Sequence, residues 1–240
     1  MNNQLGTIVQ NLQKSEASKT LMFNDKIVII RPWKTRDERN FLIKKAALPK
    51  NLQENMDKVH ELLINDLIKP CVIEGNIDQL SFNQLKLLMI ELRMLSIGEE
   101  VDGITFKCQE CGKHEEITVT FDEEFVKYTE GNYKEREISD SLKIRFKPMP
   151  HTIMKSKIDE IEILYAVVDE IIYNNVSYKD FTKQEFIEFF DALDLKTTKK
   201  IIKELGKSTD DLQIKTTHKC RNCGFETELD FGDVPNFYIP

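Results

Sequence analysis

One short device occurs twice in this chain and constrains it more than anything else: Cys-x-x-Cys-Gly set between two strand-like segments. It appears first as Cys108, Cys111 and Gly112, and again as Cys220, Cys223 and Gly224. Corresponding cysteines lie 112 positions apart. A Cys-x-x-Cys turn presents two sulfurs from one tight knuckle, and a glycine just after it can take a positive φ and let the chain bend around an ion. Two knuckles supply four sulfurs, the set that a closed tetrahedral zinc site uses, with no position left for water. The spacing therefore predicts one structural Zn2+ held by Cys108, Cys111, Cys220 and Cys223. Any fold must then bring together segments separated by 108 residues. Closing a loop of that size costs roughly 4 kcal/mol beyond a constant term. Structural zinc returns on the order of 10–16 kcal/mol in small peptides, so the metal outweighs the closure.

Other uses of the cysteines fit less well. A thioredoxin-type redox site needs one Cys-x-x-Cys at a helix start, whereas both pairs here lie between strands. Two local disulfides would need an oxidising compartment. The stretch Met1 to Thr20 is polar and lacks the apolar core of a signal peptide, and no run approaches the 18–20 apolar residues of a membrane helix. The expectation is a soluble protein made in a reducing cytosol. Two independent sites could each borrow His114 or His218, but those histidines read more simply as exposed residues on polar strand edges. Cys71 belongs to neither knuckle and reads as a small buried side chain.

The knuckles belong to a larger repetition. Lys26 to Pro32 and Leu142 to Pro148 are short apolar strands running into proline, the prolines 116 positions apart. Helical spacing follows in each: Leu52, Met56, Val59, Leu63 and Leu67, then Met154, Ile158, Ile161, Tyr165, Val168 and Ile172. A second helix opens with a capping box in each, Ser81 with Gln84 and Thr182 with Glu185. A third helix over about 197–205 would stop at Gly206 as a C′ glycine. The outgoing strands alternate, Ile117, Val119, Phe121 and Phe225, Thr227, Leu229, Phe231, as strands with one buried face do. The fold class predicted is α+β: duplicated strand–helix–helix–zinc-knuckle halves joined by a four-cysteine zinc ribbon. The boundaries are an N-terminal arm at 1–24, a first half at 25–128, a polar linker at 129–140, a second half at 141–233 and an aromatic tail at 234–240.

Composition bears on partners. The 240 residues carry 31% charged side chains and a net charge of −7, which four thiolates and one divalent ion would take to about −9. Around the knuckles Lys107, Lys113, Lys219 and Arg221 are interspersed with Glu110, Glu115, Glu116, Glu226 and Glu228, a mixed-to-acidic set that disfavours phosphate contact. Neither a phosphate-binding glycine loop, a nucleophile elbow nor a His-Glu-x-x-His pattern is present, and no catalytic carboxylate pair can be assigned. Trp33 reads as a core anchor. The arm carries Leu5, Ile8, Val9 and Leu12 at helical spacing, fit for a short amphipathic helix gripping a neighbour or for an arm that orders on assembly.

Leu92-Arg93-Met94-Leu95-Ser96-Ile97-Gly98-Glu99, running into a strand and Cys108-x-x-Cys111-Gly112, resembles the baseplate hub proteins of T-even-like contractile-tailed bacteriophages. The strand ending in Arg31-Pro32-Trp33, the second knuckle and the short acidic-aromatic tail are similar too, so the resemblance covers roughly residues 25 to 237. It implies a hub subunit or hub assembly protein without catalysis. Such a protein is expected in the host cytoplasm during assembly, with the virion tail baseplate as its other expected place. The cysteines would be metal ligands, and Arg93 and Gly98 would form a helix-to-strand junction. Partners would be other hub or tail proteins, with no membrane, no small-molecule substrate and no nucleic acid. Phe237, Tyr238 and Ile239 at the proline-bounded tail either fold back or dock into a partner groove. A zinc-ribbon regulator contacting nucleic acid or a polymerase is the alternative; a metalloenzyme would need an open coordination position.

Overall fold

The computed structural model describes residues 17–24, 26–48, 58–122, 124–131, 133–153 and 159–232. It is a mixed helix-and-sheet chain that divides into two compact units. The first comprises 1–77, 86–127 and 213–240; the second comprises 78–85 and 128–212. These units are not the two sequence halves, because the end of the chain beyond Leu212 groups with the segment that carries the first knuckle.

In the first unit, β1 (Lys19–Phe23) and β2 (Lys26–Ile30) form a hairpin, and β3 (Val72–Glu74) pairs antiparallel with the other edge of β2. Residues 19–23, expected in the arm, are instead a strand whose alternation puts Leu21 and Phe23 on the buried face beside Val28 and Ile30. Helix α1 (Thr35–Ala46) follows Pro32 and Trp33. Buried Asp37 accepts from the Lys34 backbone N–H at 3.0 Å and pairs with Arg31 at 3.2 Å, so the turn from strand to helix is fixed at its N-terminus. Trp33 is buried, as a core anchor should be. Of the apolar series beginning at Leu52, Leu63 and Leu67 lie in a π-helical turn, Leu63–Ile68, against α1; Leu52 and Met56 fall outside the described residues.

Helix α2 (Phe82–Ile97) starts with the expected box: the Ser81 N–H donates to Gln84 Oε1 and the Gln84 N–H to Ser81 Oγ, each at 3.0 Å. Two hairpins then carry the knuckles, β4 (Glu100–Lys107) with β5 (His114–Thr120), and β11 (Asp211–Lys219) with β12 (Glu226–Asp230). β6 (Val126–Thr129) lines the other edge of β11. Ile117, Val119 and Phe121 are buried as the alternation requires; in the second hairpin Phe231 is buried but Phe225 is exposed.

The second unit holds a four-stranded sheet in the order β10-β9-β8-β7, from β7 (Glu135–Glu137), β8 (Leu142–Phe146), β9 (Val168–Tyr173) and β10 (Val176–Tyr178). β7 arises within the stretch expected to be a linker, and Ile138 just after it is buried. Of the apolar series from Met154 to Ile172, Met154 and Ile158 fall outside the described residues, Ile161 and Tyr165 lie in α3 (Glu160–Val167), and Val168 and Ile172 lie in β9, which follows it directly. Val168 and Ile172 are four apart, a spacing that suits either period, and pairing with β8 decides for the strand. α4 (Lys183–Asp191) carries the Thr182–Glu185 capping box, and α5 (Leu195–Gly206) starts from Asp194. Gly206 is the last helical residue rather than a positive-φ C′ glycine; the cap falls on Lys207.

The two sheets share one layout. In each, a hairpin's second strand is central and accepts a later antiparallel strand on its free edge. Both pairings carry an irregularity before the last pair, at Ile29/Ile30 and at Arg145/Phe146. The next residue donates back in both, Arg31 N–H to the Cys71 carbonyl at 2.9 Å and Lys147 N–H to the Val167 carbonyl at 2.7 Å.

The core of the second unit gathers Ile144, Phe146, Leu164, Val167, Phe186, Phe190 and Ile201. Phe186 is 1% exposed and its ring lies 5.2–6.4 Å from those of Tyr165, Phe181, Phe189 and Phe190. Phe186→Ala is expected to cost about 3–5 kcal/mol in urea unfolding; a cost below about 1 kcal/mol would contradict this packing.

Candidate metal centre

Both knuckles close by the same backbone bonds. Cys108 N–H donates to the Lys113 carbonyl and Gly112 N–H to the Cys108 carbonyl, each at 2.9 Å. In the second, Cys220 N–H donates to the Phe225 carbonyl at 2.8 Å and Gly224 N–H to the Cys220 carbonyl at 2.9 Å. Gly112 and Gly224 have φ of 71° and 75°, the left-handed turn for which glycine is suited. In both, the turn aims two thiols the same way.

The two tips meet within the first unit. Cys108 Sγ lies 3.7 Å from Cys223 Sγ and Cys111 Sγ 3.7 Å from Cys220 Sγ, and all four sulfurs lie within 4.8 Å of one another. The thiols are free, and 3.7 Å is far beyond a disulfide bond of about 2.05 Å. A tetrahedral ion with metal–sulfur bonds of about 2.3 Å sets its sulfurs about 3.8 Å apart, so two edges of that tetrahedron are already formed. Cys108 and Cys220 are buried, Cys111 is half-buried and Cys223 exposed. Neither His114 nor His218 belongs to this group. The Cys111 thiol is lowered to about 6, chiefly by the Lys113 backbone N–H, with burial opposing. One sulfur of the set is thus readily a thiolate near neutrality.

The first hairpin is anchored to α2 by the junction that the sequence singles out. Buried Arg93 donates to the carbonyls of Gly98 at 2.9 Å and Glu100 at 3.1 Å, and its guanidinium lies 5.2 Å from the centre of the Phe121 ring. Gly98, at φ 108°, ends the helix and turns the chain into β4. The second hairpin is tied in by Lys215 N–H to the Phe125 carbonyl at 3.0 Å and by the Phe125 ring, which lies between those of Phe121 and Phe231.

A family model described as T4 bacteriophage base plate protein matches residues 14–239, nearly the whole chain. The chain belongs to the T4 bacteriophage base plate protein family. Among curated proteins no match was found, and none among solved structures.

In this base plate protein the sequence points to the four cysteines but not to what holds the tips together. Glu115, three residues past the first glycine, reaches across to the second knuckle. Its carboxylate accepts from His218 Nε2 at 2.9 Å and from the Arg221 and Asn222 backbone N–H groups at 3.2 Å each. The Cys220 thiol donates to it as well, at 3.2 Å, a bond that ends when the sulfur becomes a thiolate. These donors, His218 first, hold the Glu115 carboxyl well below its ordinary range, at about 2, against the opposing effect of burial. Lys113 Nζ crosses in the same sense to Asn222 Oδ1 at 2.7 Å, and the His218 ring meets Phe106 edge-on at 5.5 Å. In the sequence Glu115 is only one more acidic residue near the knuckles; its single available signal is its place four residues after Cys111. Phe237, Tyr238 and Ile239 lie outside the described residues.

Glu115→Ala frees two knuckle amides and the His218 ring while leaving all four cysteines in place. Metal affinity is expected to fall about 10–100-fold by chelator competition, with the circular dichroism spectrum retained. Unchanged affinity would show that the sulfurs alone set the geometry.

Proposed function

We propose that this base plate protein is a structural and assembly component of the baseplate hub, built around one structural zinc ion held by Cys108, Cys111, Cys220 and Cys223. The observation that carries the reading is the conjunction of a near-complete family match with four convergent sulfurs. Four soft ligands at tetrahedral spacing suit zinc, and a full set of protein ligands leaves no place for a reacting water, so the ion's role is to hold the tips of two hairpins together. The protein acts by scaffolding rather than catalysis, engages other tail and hub proteins, and does so in the host cytoplasm while tails are being built. The proline-bounded tail with Phe237, Tyr238 and Ile239 is the proposed partner-docking segment. The common layout of the two sheets, with the knuckle bonds repeated 112 positions apart, favours descent of both halves from one duplicated ancestor. No observation favours the nucleic-acid regulator: the Arg221 and Asn222 amides that could face a phosphate are occupied by Glu115. Among the described residues no helix is long and apolar enough to cross a membrane.

Gently purified protein should carry about one zinc per chain, with absorption at the metal edge reporting four sulfurs at about 2.3 Å. Cys111→Ser and Cys223→Ser should each release the metal and destabilise residues 86–127 and 213–232, the parts of the first unit that bear the knuckles. A sulfur count of three with an oxygen would replace the structural reading with a catalytic one.

Phage carrying Cys111→Ser should yield few complete tails in electron micrographs of infected cells. Deleting Pro235–Pro240 should leave zinc content intact while reducing recovery of hub proteins in a pull-down. Normal tails from the cysteine variant would remove the assembly role; undiminished recovery would remove the docking role of the tail.

A further inference from the structure

A cleft of about 700 Å3 runs between β5 and β11 within the first unit. It is lined by consecutive residues of each strand, Ile117 to Thr120 and Lys215 to His218. Successive side chains of a strand point to opposite faces, so a cleft touched by every residue in a row follows the strand's edge and not a face.

The backbone bonds tell what those edges offer. In an antiparallel ladder, residues bonded to one neighbour alternate with residues whose N–H and C=O point the other way. Cys108 N–H bonds the Lys113 carbonyl and Phe121 N–H the Glu99 carbonyl, which turns the backbone of Ile117 and Val119 toward β4. The N–H and C=O groups of Thr118 and Thr120 therefore point away from β4. In the second hairpin Cys220 N–H bonds the Phe225 carbonyl and Phe231 N–H the Ile214 carbonyl, which turns Thr216 and His218 toward β12 and Thr217 away from it. Among the described residues β5 pairs only with β4, and β11 only with β12 and β6. β6 begins just after Phe125, whose carbonyl takes the Lys215 N–H, and runs back toward Asp210, where the Tyr128 hydroxyl lies 3.4 Å from the carboxylate. It leaves Thr217 uncovered.

Native sheets blunt their open edges with charge, proline or brevity. The outer strands β7, Glu-Arg-Glu, and β12, with Glu226, Glu228 and Asp230, conform. The stretches facing the cleft, Ile117-Thr118-Val119-Thr120 and Thr216-Thr217, hold neither charge nor proline and are β-branched throughout. Lys215 beside them is taken by Glu228 at 2.8 Å and Asp230 at 3.6 Å. Glu115 joins the hairpins at their tips and the Phe125 ring at their base, so protein contacts fix the gap at both ends.

Two facing backbone edges are complementary to a third backbone. β5 runs from tip to base and β11 from base to tip, so a strand between them is antiparallel to one and parallel to the other, as in a mixed sheet. Its side chains would alternate between the buried side of Ile117 and Val119 and the exposed side of Thr118 and Thr120. At about 3.3 Å per residue, the lined stretch takes a segment of about four or five residues.

We propose that the cleft between β5 and β11 docks an extended segment of a partner protein, with alternating apolar β-branched and hydroxyl side chains, which joins the two hairpins into one sheet.

The probe is the synthetic peptide acetyl-Val-Thr-Val-Thr-Val-amide, added at millimolar concentration to the full-length protein while amide exchange is followed residue by residue. Thr118, Thr120 and Thr217 are expected to exchange about tenfold or more slowly with peptide present. Ile117, Val119 and Thr216, already bonded within their hairpins, should change little, an alternation that general stabilisation does not produce. The same peptide N-methylated at its second and fourth residues lacks the donors for one edge and should give no such protection. Thr118→Pro removes an N–H that β4 does not use, at a place where an edge strand accepts proline, and should abolish protection at Thr120 and Thr217 with the circular dichroism spectrum retained. Should that variant lose its fold, the methylated peptide carries the comparison. Unchanged exchange at the three threonines would overturn the proposal, as would equal protection by the methylated peptide or protection of one strand only. Slow exchange of these amides without peptide, following dimer formation in sedimentation, would also overturn it, assigning the edges to a second copy. No hub protein enters the test, so its failure leaves the hub assignment standing.

Discussion

Four sulfurs within reach of one ion are the constraint on which the first unit turns. They come from segments more than a hundred residues apart, and neither hairpin has a large core of its own. A two-stranded hairpin is marginal in water, and here each is held by its tip and by its base. At the tips Glu115 and Lys113 of one hairpin bond the knuckle of the other, so protein contacts bring the thiols together. At the base Arg93 binds the carbonyls at the start of β4, and Phe121, Phe125 and Phe231 close the gap to the second hairpin. Between tip and base, β5 and β11 border a polar cleft lined by Thr118, Thr120, Thr216 and Thr217.

The same arrangement explains why a chain with a twofold sequence pattern does not fold as two consecutive bodies. The second knuckle must sit beside the first, so the segment that carries it leaves the second unit and joins the first. The helices and sheet between them then form a unit with its own aromatic core. The two sheets keep one layout while their outward residues differ, Ile27 and Ile29 in one and Lys143 and Arg145 in the other, so the layout is separable from the chemistry of its outward residues. A building block of a larger particle gains by that separation, since contacts can change without disturbing the fold.

Local features are readable because their causes are local. Both capping boxes form as written, since Ser81 with Gln84 and Thr182 with Glu185 need only residues three apart. The knuckle glycines adopt positive φ because the turn demands it wherever it is placed. Sequence and structure part where two periods compete or where pairing is remote. Val168 to Tyr173 carries apolar residues consistent with helix or strand, and β8 settles the choice. Residues 19–23 and 135–137 are short and partly polar, and they become strands only because a neighbour offers an unpaired edge. Gly206 has the right residue type for a helix stop, yet the helix simply ends on it.

The amino-acid sequence by itself determined the four-cysteine set, the two turns that present it, the alternating strands on either side and the likeness to a phage base plate family, because each depends on residue type at short spacing. Only the tertiary structure decided that the two tips meet in one compact unit, that Glu115 and His218 brace them, and that each unit carries a sheet of the same layout. Those outcomes follow from which backbone edges and side chains are brought together across a hundred residues, and no local pattern specifies that distance.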